Sequence, residues 1–344
     1  MKVAVIERFG AIAIRDTPEP RIGEYEALCE LLYGATCSGT DTHLIRGHEP
    51  CCHWVQLPFI LGHESVGRVV KLGAKVRHFK VGDLVTRVGA PGGNGLNLGW
   101  GGFAEMGVAK DHWAMAADRR PESEWVSARV NQVVPGGVDP KVAPMFTTWR
   151  EILSASLRVG VSAGAAVLVA GSGGNGLSFA VHARNLGASC VAMVGSARLA
   201  AVAREKAGVQ HYVDYREADL AGALNRAVPA GFDFIIDAVG KVGMADRLLP
   251  CLKPGSRYMT YGIDDAGKIR IDPSRARGAF TVMPCSCDEA ETHQRISEWV
   301  LQGRLDASLW YDMAKPYPLA GLADAFAAVW NRQCVKALVA LRGK

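Results

Sequence analysis

The sequence predicts an α/β protein of two domains, and three observations carry that expectation. The chain is 344 residues long, against roughly 150 residues for a typical domain. Over about the first 150 residues, short alternating segments are separated by Gly, Pro and Asp, which is a β-rich pattern. From about Ala165, apolar runs of strand length alternate with helical stretches, which implies a parallel sheet covered on both faces.

Each element follows from its local pattern. Residues 27–33, 65–72 and 83–88 are expected as strands of the first domain. Ala166-Val167-Leu168-Val169-Ala170 is a continuous apolar run of strand length. A glycine-rich turn follows, then a helix over 177–186, a strand over 190–194 and a helix over 199–207. Residues 232–238 and 257–261 are the next strands. From about Pro284 the pattern is mixed again, ending in an amphipathic helix over 322–330 and a strand over 336–341. The chain contains no internal repeat and no low-complexity tract.

Composition narrows the classes. The 49% apolar and 21% charged content is average for a globular protein and excludes a disordered or collagen-like chain. The length suffices to bury more than one core without a disulfide or metal staple. The net charge is +5 and the pI near 8.7, but the basic residues are scattered. Nucleic-acid binding would need a basic patch or stripe. No apolar run reaches the roughly 18 residues of a membrane span. Charge at Lys2, Glu7 and Arg8 comes too early for a secretory signal. The nine cysteines form no C-x-x-C pair and read as reduced thiols of a cytoplasmic protein, most of them small buried hydrophobes.

The clearest motif is Gly171-Ser172-Gly173-Gly174-Asn175-Gly176, which fits G-x-G-x-x-G between a strand and a helix. Gly171 would make the tight turn, Gly173 would let backbone approach a pyrophosphate, and Gly176 would let helix and strand pack closely. The helix start at Gly174 would offer free N–H groups to the phosphates. The bland alternative is an ordinary glycine-rich turn, and the strand–turn–helix context argues against it. An acid about 20 residues further on would take the ribose hydroxyls of NAD. Met193-Val194-Gly195-Ser196-Ala197-Arg198 has none. The Ser196 hydroxyl and Arg198 guanidinium, with Tyr215 after the following strand, suit a 2′-phosphate, so the expected cofactor is NADP(H).

Several segments in order then carry a family resemblance. They are Thr40-Asp41-Thr42-His43, Gly62-His63-Glu64-Ser65-Val66-Gly67, Val81-Gly82-Asp83-Leu84-Val85, Gly101-Gly102-Phe103-Ala104-Glu105, the dinucleotide turn, and Ile236-Asp237-Ala238-Val239-Gly240. The chain resembles the medium-chain dehydrogenase/reductase superfamily, on its zinc alcohol and polyol dehydrogenase branch. The resemblance covers nearly the whole chain. It implies a GroES-like β-barrel catalytic domain over 1–147, completed by 284–344. A Rossmann NADP-binding domain over 148–283 is inserted, with the active site in the cleft. It also implies a homodimer or homotetramer paired through the Rossmann sheet edge, for which residues 280–283 are the candidate strand.

The metal site departs from the family pattern. In the zinc branch a Cys immediately precedes Gly-Thr-Asp. Here Ser38 stands there and Cys37 lies one place earlier. His63 and Glu64 are retained, but the third ligand position falls on Ala143 or Thr147, neither a good zinc ligand. A one-residue shift on a strand would turn Cys37 to the other face. The expectation is therefore that the catalytic zinc is lost; if it is retained, its ligands are Cys37, His63 and Glu64. The four-cysteine structural lobe of many relatives is replaced by a glycine-rich segment, 89–102, without cysteine.

Without a metal, hydrogen-bond donors must stabilise the charge that builds on the substrate oxygen. By the resemblance, Thr40 contacts that oxygen and starts a proton relay that ends at His43, while Ser38 and His63 line the metal position. On the residues alone, Thr40 and His43 read more readily as structural, and Asp41 as a local backbone acceptor. Trp54, Phe59, Trp100, Trp113, Phe146 and Trp149 fall in segments that border the cleft in relatives and could shape an apolar or planar pocket, though packing explains many of them. Three activities follow as expectations. The first is an NADPH-dependent oxidoreductase of a small alcohol/carbonyl substrate. The second is an NADPH-dependent reductase of a conjugated C=C or C=N bond. The third is a non-catalytic NADP-binding protein.

Overall fold

Alternation in the N-terminal segment is realised as strands. The computed structural model describes residues 1–343. It begins with β1 (Lys2–Arg8), β2 (Ala11–Asp16) and β3 (Glu26–Ala35), followed by the helix α1 (Thr40–Arg46). The strands β4 (Phe59–Ile60), β5 (Glu64–Leu72), β6 (Leu84–Thr86), β7 (Asn97–Leu98) and β8 (Met106–Lys110) come next, then α2 (His112–Ala117) and α3 (Met145–Val159). In β3 the buried residues Ala27, Cys29 and Leu31 alternate with half-buried neighbours, so one face is core. A four-stranded sheet runs β2-β1-β4-β7.

The middle of the chain forms the parallel sheet. Its elements are β9 (Ala166–Ala170), α4 (Gly174–Asn185), β10 (Cys190–Gly195), α5 (Ala200–Glu205), β11 (His211–Asp214), α6 (Leu220–Ala227), β12 (Phe232–Asp237), α7 (Met244–Leu248), β13 (Leu252–Thr260) and β14 (Thr281–Pro284). The sheet order is β11-β10-β9-β12-β13-β14, with every pair parallel. Numbered within this sheet the order is 3-2-1-4-5-6, and the direction of winding reverses between β9 and β12. All five residues of β9 are buried, as a central strand covered on both faces requires. α4 begins at Gly174, ahead of the expected 177, because the glycine turn itself supplies the first helical turn. β14 lies at the sheet edge with Val282 49% exposed.

The chain then returns to the first unit through α8 (His293–Leu301), β15 (Tyr317–Pro318), α9 (Leu322–Trp330) and β16 (Leu338–Ala340). β16 pairs antiparallel with β3, completing a sheet of order β15-β16-β3-β5-β6, with β8 also on β3. The compact units are Met1–Arg150 with the segment from Glu289, and Glu151–Asp288. The sequence-based boundaries at 147/148 and 283/284 differ by a few residues because α3 is continuous across the first. No described helix is long and apolar enough to cross a membrane.

Glu289 pins the returning segment. Its two oxygens pair with Arg87 Nη2 at 2.7 Å and with the fully buried Arg150 Nη2 at 2.8 Å. Arg150 also donates to Phe146 O and Val130 O. His293 donates Nε2–H to Val133 O at 2.9 Å and turns Nδ1 to Arg150. Burial, aided by the Arg150 charge, lowers its pKa to about 4.

Two outcomes follow. Glu289→Ala leaves two guanidiniums without their carboxylate and should cost about 3–5 kcal/mol, read as a lower urea midpoint; an unchanged midpoint would remove the pin. The depressed His293 pKa means that the unfolded chain takes up a proton before the folded one. Stability is complete above about pH 6.5 and should be lost as pH falls toward 4, by about 3 kcal/mol at this site. Urea titrations at pH 7 and pH 4.5 on the unmodified chain and on His293→Gln measure that difference.

Candidate active site

After β3 ends at Ala35, the chain leaves the sheet and turns into α1. Asp41, in the first turn of α1 and fully buried, ties this turn to the Gly-His-Glu segment. Its Oδ2 accepts the Cys37 N–H at 2.9 Å, and its Oδ1 pairs with His63 Nδ1 at 3.0 Å. With Nδ1 so engaged, the His63 Nε2 is the ring atom left for the site. His63 is placed by Gly62, whose φ of +95° and contact with Phe103 leave no room for a side chain. Donor atoms of Cys37, His63 and Glu64 all lie within 4.8 Å of one another, and all three residues are buried.

Register explains a fourth member. β16 pairs Leu338 with Ala35, Thr36 N–H donates to Ala337 O at 3.1 Å, and Ala337 N–H donates to Thr36 Oγ1 at 2.9 Å. Lys336 therefore reaches the end of β3, while on its other side β5 pairs Glu64 with Ala35. Lys336 Nζ donates to Glu64 Oε1 at 2.5 Å and Oε2 at 2.7 Å, and to Thr36 O at 3.3 Å. Thr148 Oγ1 donates to Glu64 Oε1 at 2.9 Å. Burial alone would pull the pKa of Lys336 down, but Glu64, with Cys37 and Asp41 nearby, pushes it up. Burial likewise opposes the charged form of His63; Asp41 and Cys37 outweigh it and raise its pKa well above the usual imidazole range. Asp41 thus faces His63, and Glu64 faces Lys336, all four out of water.

The strand-face argument against Cys37 does not hold, because Cys37 lies beyond the end of β3 and is not bound by strand alternation. Ala143 and Thr147 are buried; alanine has no ligand atom, and Thr147 Oγ1 has no hydrogen-bond partner among the described residues. A thiol, an imidazole backed by a carboxylate, and a carboxylate are a fitting donor set for zinc with an open fourth position. Lys336 competes for the third donor.

The other expected residues fall on the same turn and helix. Ser38 is exposed, Thr40 is half-buried at the start of α1, and His43 lies one helical turn beyond Thr40. His43 is buried and donates Nδ1–H to Glu49 O at 3.0 Å. Of the six aromatics, Phe59, Phe146 and Trp149 are core, and Trp113 stacks on His112 at 3.8 Å. Trp54 and Trp100 are exposed. The sequence reading missed Lys336 and Thr148 and saw only the backbone half of the Asp41 role. A lone lysine in the apolar run 335–341 was the available signal for Lys336.

In the second unit, the glycine turn sits at the reversal point of the sheet. Gly171 has φ +108°, and a Cβ on Gly176 would stand 1.9 Å from Gly171 O. Opposite, Asp237 Oδ1 accepts the Val239 and Gly240 N–H groups, and Oδ2 accepts the Tyr258 hydroxyl. Gly173 caps α4, and Gly174 is its first residue, with no acid in the first turn. Ser196, Arg198 and Tyr215 gather at the ends of β10 and β11, where Tyr215 N–H donates to Gly195 O at 3.0 Å. Arg198 is exposed. A Cβ on Gly195 would lie 2.4 Å from both Ser172 Cβ and the Tyr212 hydroxyl. The end of β10 is thus closed to an acidic side chain. Asp214 is nearby, but its oxygens accept the Ala197 and Arg216 N–H groups. Arg216, whose Nε donates to the Tyr215 hydroxyl, is a further cation that the sequence reading passed over.

Comparison with known proteins agrees with this architecture. Residues 23–119 match the alcohol dehydrogenase GroES-like domain, and residues 174–299 match the zinc-binding dehydrogenase family. A sorbitol dehydrogenase of Halalkalibacterium halodurans is 25% identical over 74% of this chain and 74% of its own. An L-threonine 3-dehydrogenase of Chelativorans sp. is 27% identical over 73% of each chain. A putative zinc-binding dehydrogenase from Sinorhizobium meliloti 1021, solved bound to NADP, superposes with a TM-score of 0.78 at 23% identity, covering 98% of both chains. The chain belongs to the medium-chain dehydrogenase/reductase superfamily, in its zinc alcohol dehydrogenase-like branch. It is accordingly an oxidoreductase with a fold that binds a nucleotide cofactor.

Lys336→Met should leave Glu64 as an unpaired buried carboxylate and cost about 3–5 kcal/mol. Adding Glu64→Gln to that variant should recover much of the loss, because the pair is then removed as a unit. Denaturant midpoints of the two single variants and the double variant test this, and strictly additive losses would show the pair to be uncoupled.

Proposed function

We propose that this protein is an NADP(H)-dependent oxidoreductase that transfers hydride between the nicotinamide and a small organic alcohol/carbonyl substrate. The single observation that carries the cofactor choice is Gly195. Its missing side chain is enforced by Ser172 and Tyr212, so no acid can stand at the end of β10. Ser196 and Arg198 follow it directly and supply a hydroxyl and a guanidinium to a 2′-phosphate. Tyr215, held over Gly195, completes that wall, and Gly171, Gly173, Gly174 and Gly176 cradle the pyrophosphate.

At the candidate site, Cys37, His63 and Glu64 would hold a zinc ion, which when bound acts as a Lewis acid toward the substrate oxygen. Asp41 keeps the His63 ring in one tautomer and orientation. Thr40 offers its hydroxyl to the substrate oxygen, and His43, one turn along α1, is the outer station for the proton. Ser38 lies at the rim as an additional donor. Bound NADP+ would supply the acceptor for the carbinol hydride, and the hydroxyl proton would leave through Thr40. A second reading is reduction of a conjugated C=C or C=N bond without metal. It is favoured by Lys336, which already holds both Glu64 oxygens and leaves only Cys37 and His63 as donors. The exposed edge strand β14 fits pairing into a homodimer, and a chain with nine cysteines and no C-x-x-C pair fits a cytoplasmic setting.

NADPH should bind more tightly than NADH by about tenfold or more, matching roughly 1.5–3 kcal/mol for hydrogen bonds to a charged group. Arg198→Ala should erase most of that margin. Equal dissociation constants in the unmutated protein would overturn the cofactor assignment. Protein grown with zinc should contain close to one equivalent by elemental analysis, lost in Cys37→Ser and in His63→Ala. Metal-free protein that still turns over an enone, and no simple ketone, would establish the second reading. Failure to turn over any carbonyl or enone would leave a nucleotide-binding protein without catalysis.

A further inference from the structure

Trp100 is an aromatic side chain that packing does not fully account for. It is 41% exposed, yet its indole lies against His63, which is only 7% exposed. The ring centroids are 5.3 Å apart with the planes at 57°. The Arg87 guanidinium sits 5.7 Å from the indole centroid and is itself held by Glu289 at 2.7 Å and by His63 O at 3.1 Å. The indole is therefore fixed from two sides at the Cys37–His63–Glu64 cluster while part of its surface stays open.

The backbone around Trp100 leaves little freedom to move it away. A Cβ on Gly99 would stand 2.1 Å from Phe59 Cζ. Gly101 has φ +65°, and a Cβ there would stand 2.2 Å from Ala90 O. Ala90 N–H donates to Gly101 O at 2.9 Å, and Gly102 N–H donates to Gly62 O at 2.8 Å. Flanking glycines usually suggest a loose loop, but here Gly99 packs under the Phe59 ring and Gly101 on the Ala90 backbone, and so they hold the tryptophan in place.

We infer that Trp100 is a specificity-determining residue, the aromatic wall of the substrate site over the Cys37–His63 cluster. Its substrates are alcohols or carbonyls that carry a planar unsaturated group on the reacting carbon. The inference rests on the hydride-transfer reading above and names its substrate class. An indole face offers offset stacking to an aryl or conjugated group, whereas an open-chain polyol presents hydroxyls and gains little from it. Polar recognition of several hydroxyls would call for donors and acceptors in the place Trp100 occupies.

The test compares benzyl alcohol, cyclohexylmethanol and sorbitol with NADP+, and benzaldehyde with NADPH, in the unmutated protein, Trp100→Ala and Trp100→Phe. Benzyl alcohol should be preferred over cyclohexylmethanol by about tenfold in kcat/KM. Trp100→Ala should remove most of that preference through KM, and Trp100→Phe should keep most of it. Saturation-transfer NMR of benzyl alcohol, with NADP+ present, reads binding without turnover. If nothing is turned over but the benzyl alcohol signal is lost in Trp100→Ala, the hydride-transfer reading fails and the aromatic wall stands. A benzyl preference and NMR signal unchanged in a folded Trp100→Ala that binds NADPH normally, or faster turnover of sorbitol than benzyl alcohol in the unmutated protein, would overturn the inference.

Discussion

The unit that contains both chain ends is organised around a buried contact between Lys336 and Glu64, two residues far apart in the chain. An ammonium and a carboxylate removed from water are costly unless each has its partners. Here Glu64 accepts from both Lys336 and Thr148, and Lys336 also reaches Thr36 O. That requirement ties the last strand, β16, and the first turn of β5 to the same end of β3. His63, next to Glu64, is held in turn by Asp41, and Asp41 holds Cys37 through its backbone N–H. Each buried carboxylate has a basic partner, Asp41 with His63 and Glu64 with Lys336, and that balance of partners is the condition for polar groups to persist out of water. The donor cluster is a by-product of that balance as much as of any one motif.

The dinucleotide unit depends on a different constraint, the exclusion of side chains. Gly171, Gly176 and Gly195 each sit where a Cβ would collide with backbone or with a neighbouring side chain. The first two let strand and helix approach around the turn. The third has the further effect of closing the end of β10 to an acid. The shape of that strand end is thus set by Ser172 and Tyr212 as well as by Gly195 itself. Asp237 provides the matching rigidity on β12: burial raises its pKa, and its oxygens are spent on two N–H groups and the Tyr258 hydroxyl.

Glycine works similarly around Trp100. The segment 89–102 has no cysteine, yet it is ordered by close contacts with backbone at Gly89, Gly101 and Gly102 and with the Phe59 ring at Gly99. A run that reads as flexible in sequence is a clamp in three dimensions. It delivers an indole to the imidazole of His63 and leaves it part-exposed.

The sequence by itself determined the class of fold and the place of the nucleotide turn, because those depend on local patterns. An apolar run such as 166–170 has to be covered on both faces, and G-x-G-x-x-G between strand and helix has few other uses. Ordered motifs such as Gly62-His63-Glu64 also carried the family. Tertiary structure decided what those residues do. Cys37 looked out of register while it was counted along a strand, but β3 ends before it and the turn sets its direction. Lys336 looked like one charge in an apolar strand until antiparallel pairing with β3 carried it to Glu64. Of six candidate cleft aromatics, three are core, and only packing separated them from Trp100. Facing, pairing and burial of single side chains arise from contacts between segments distant in sequence, and no local pattern encodes them.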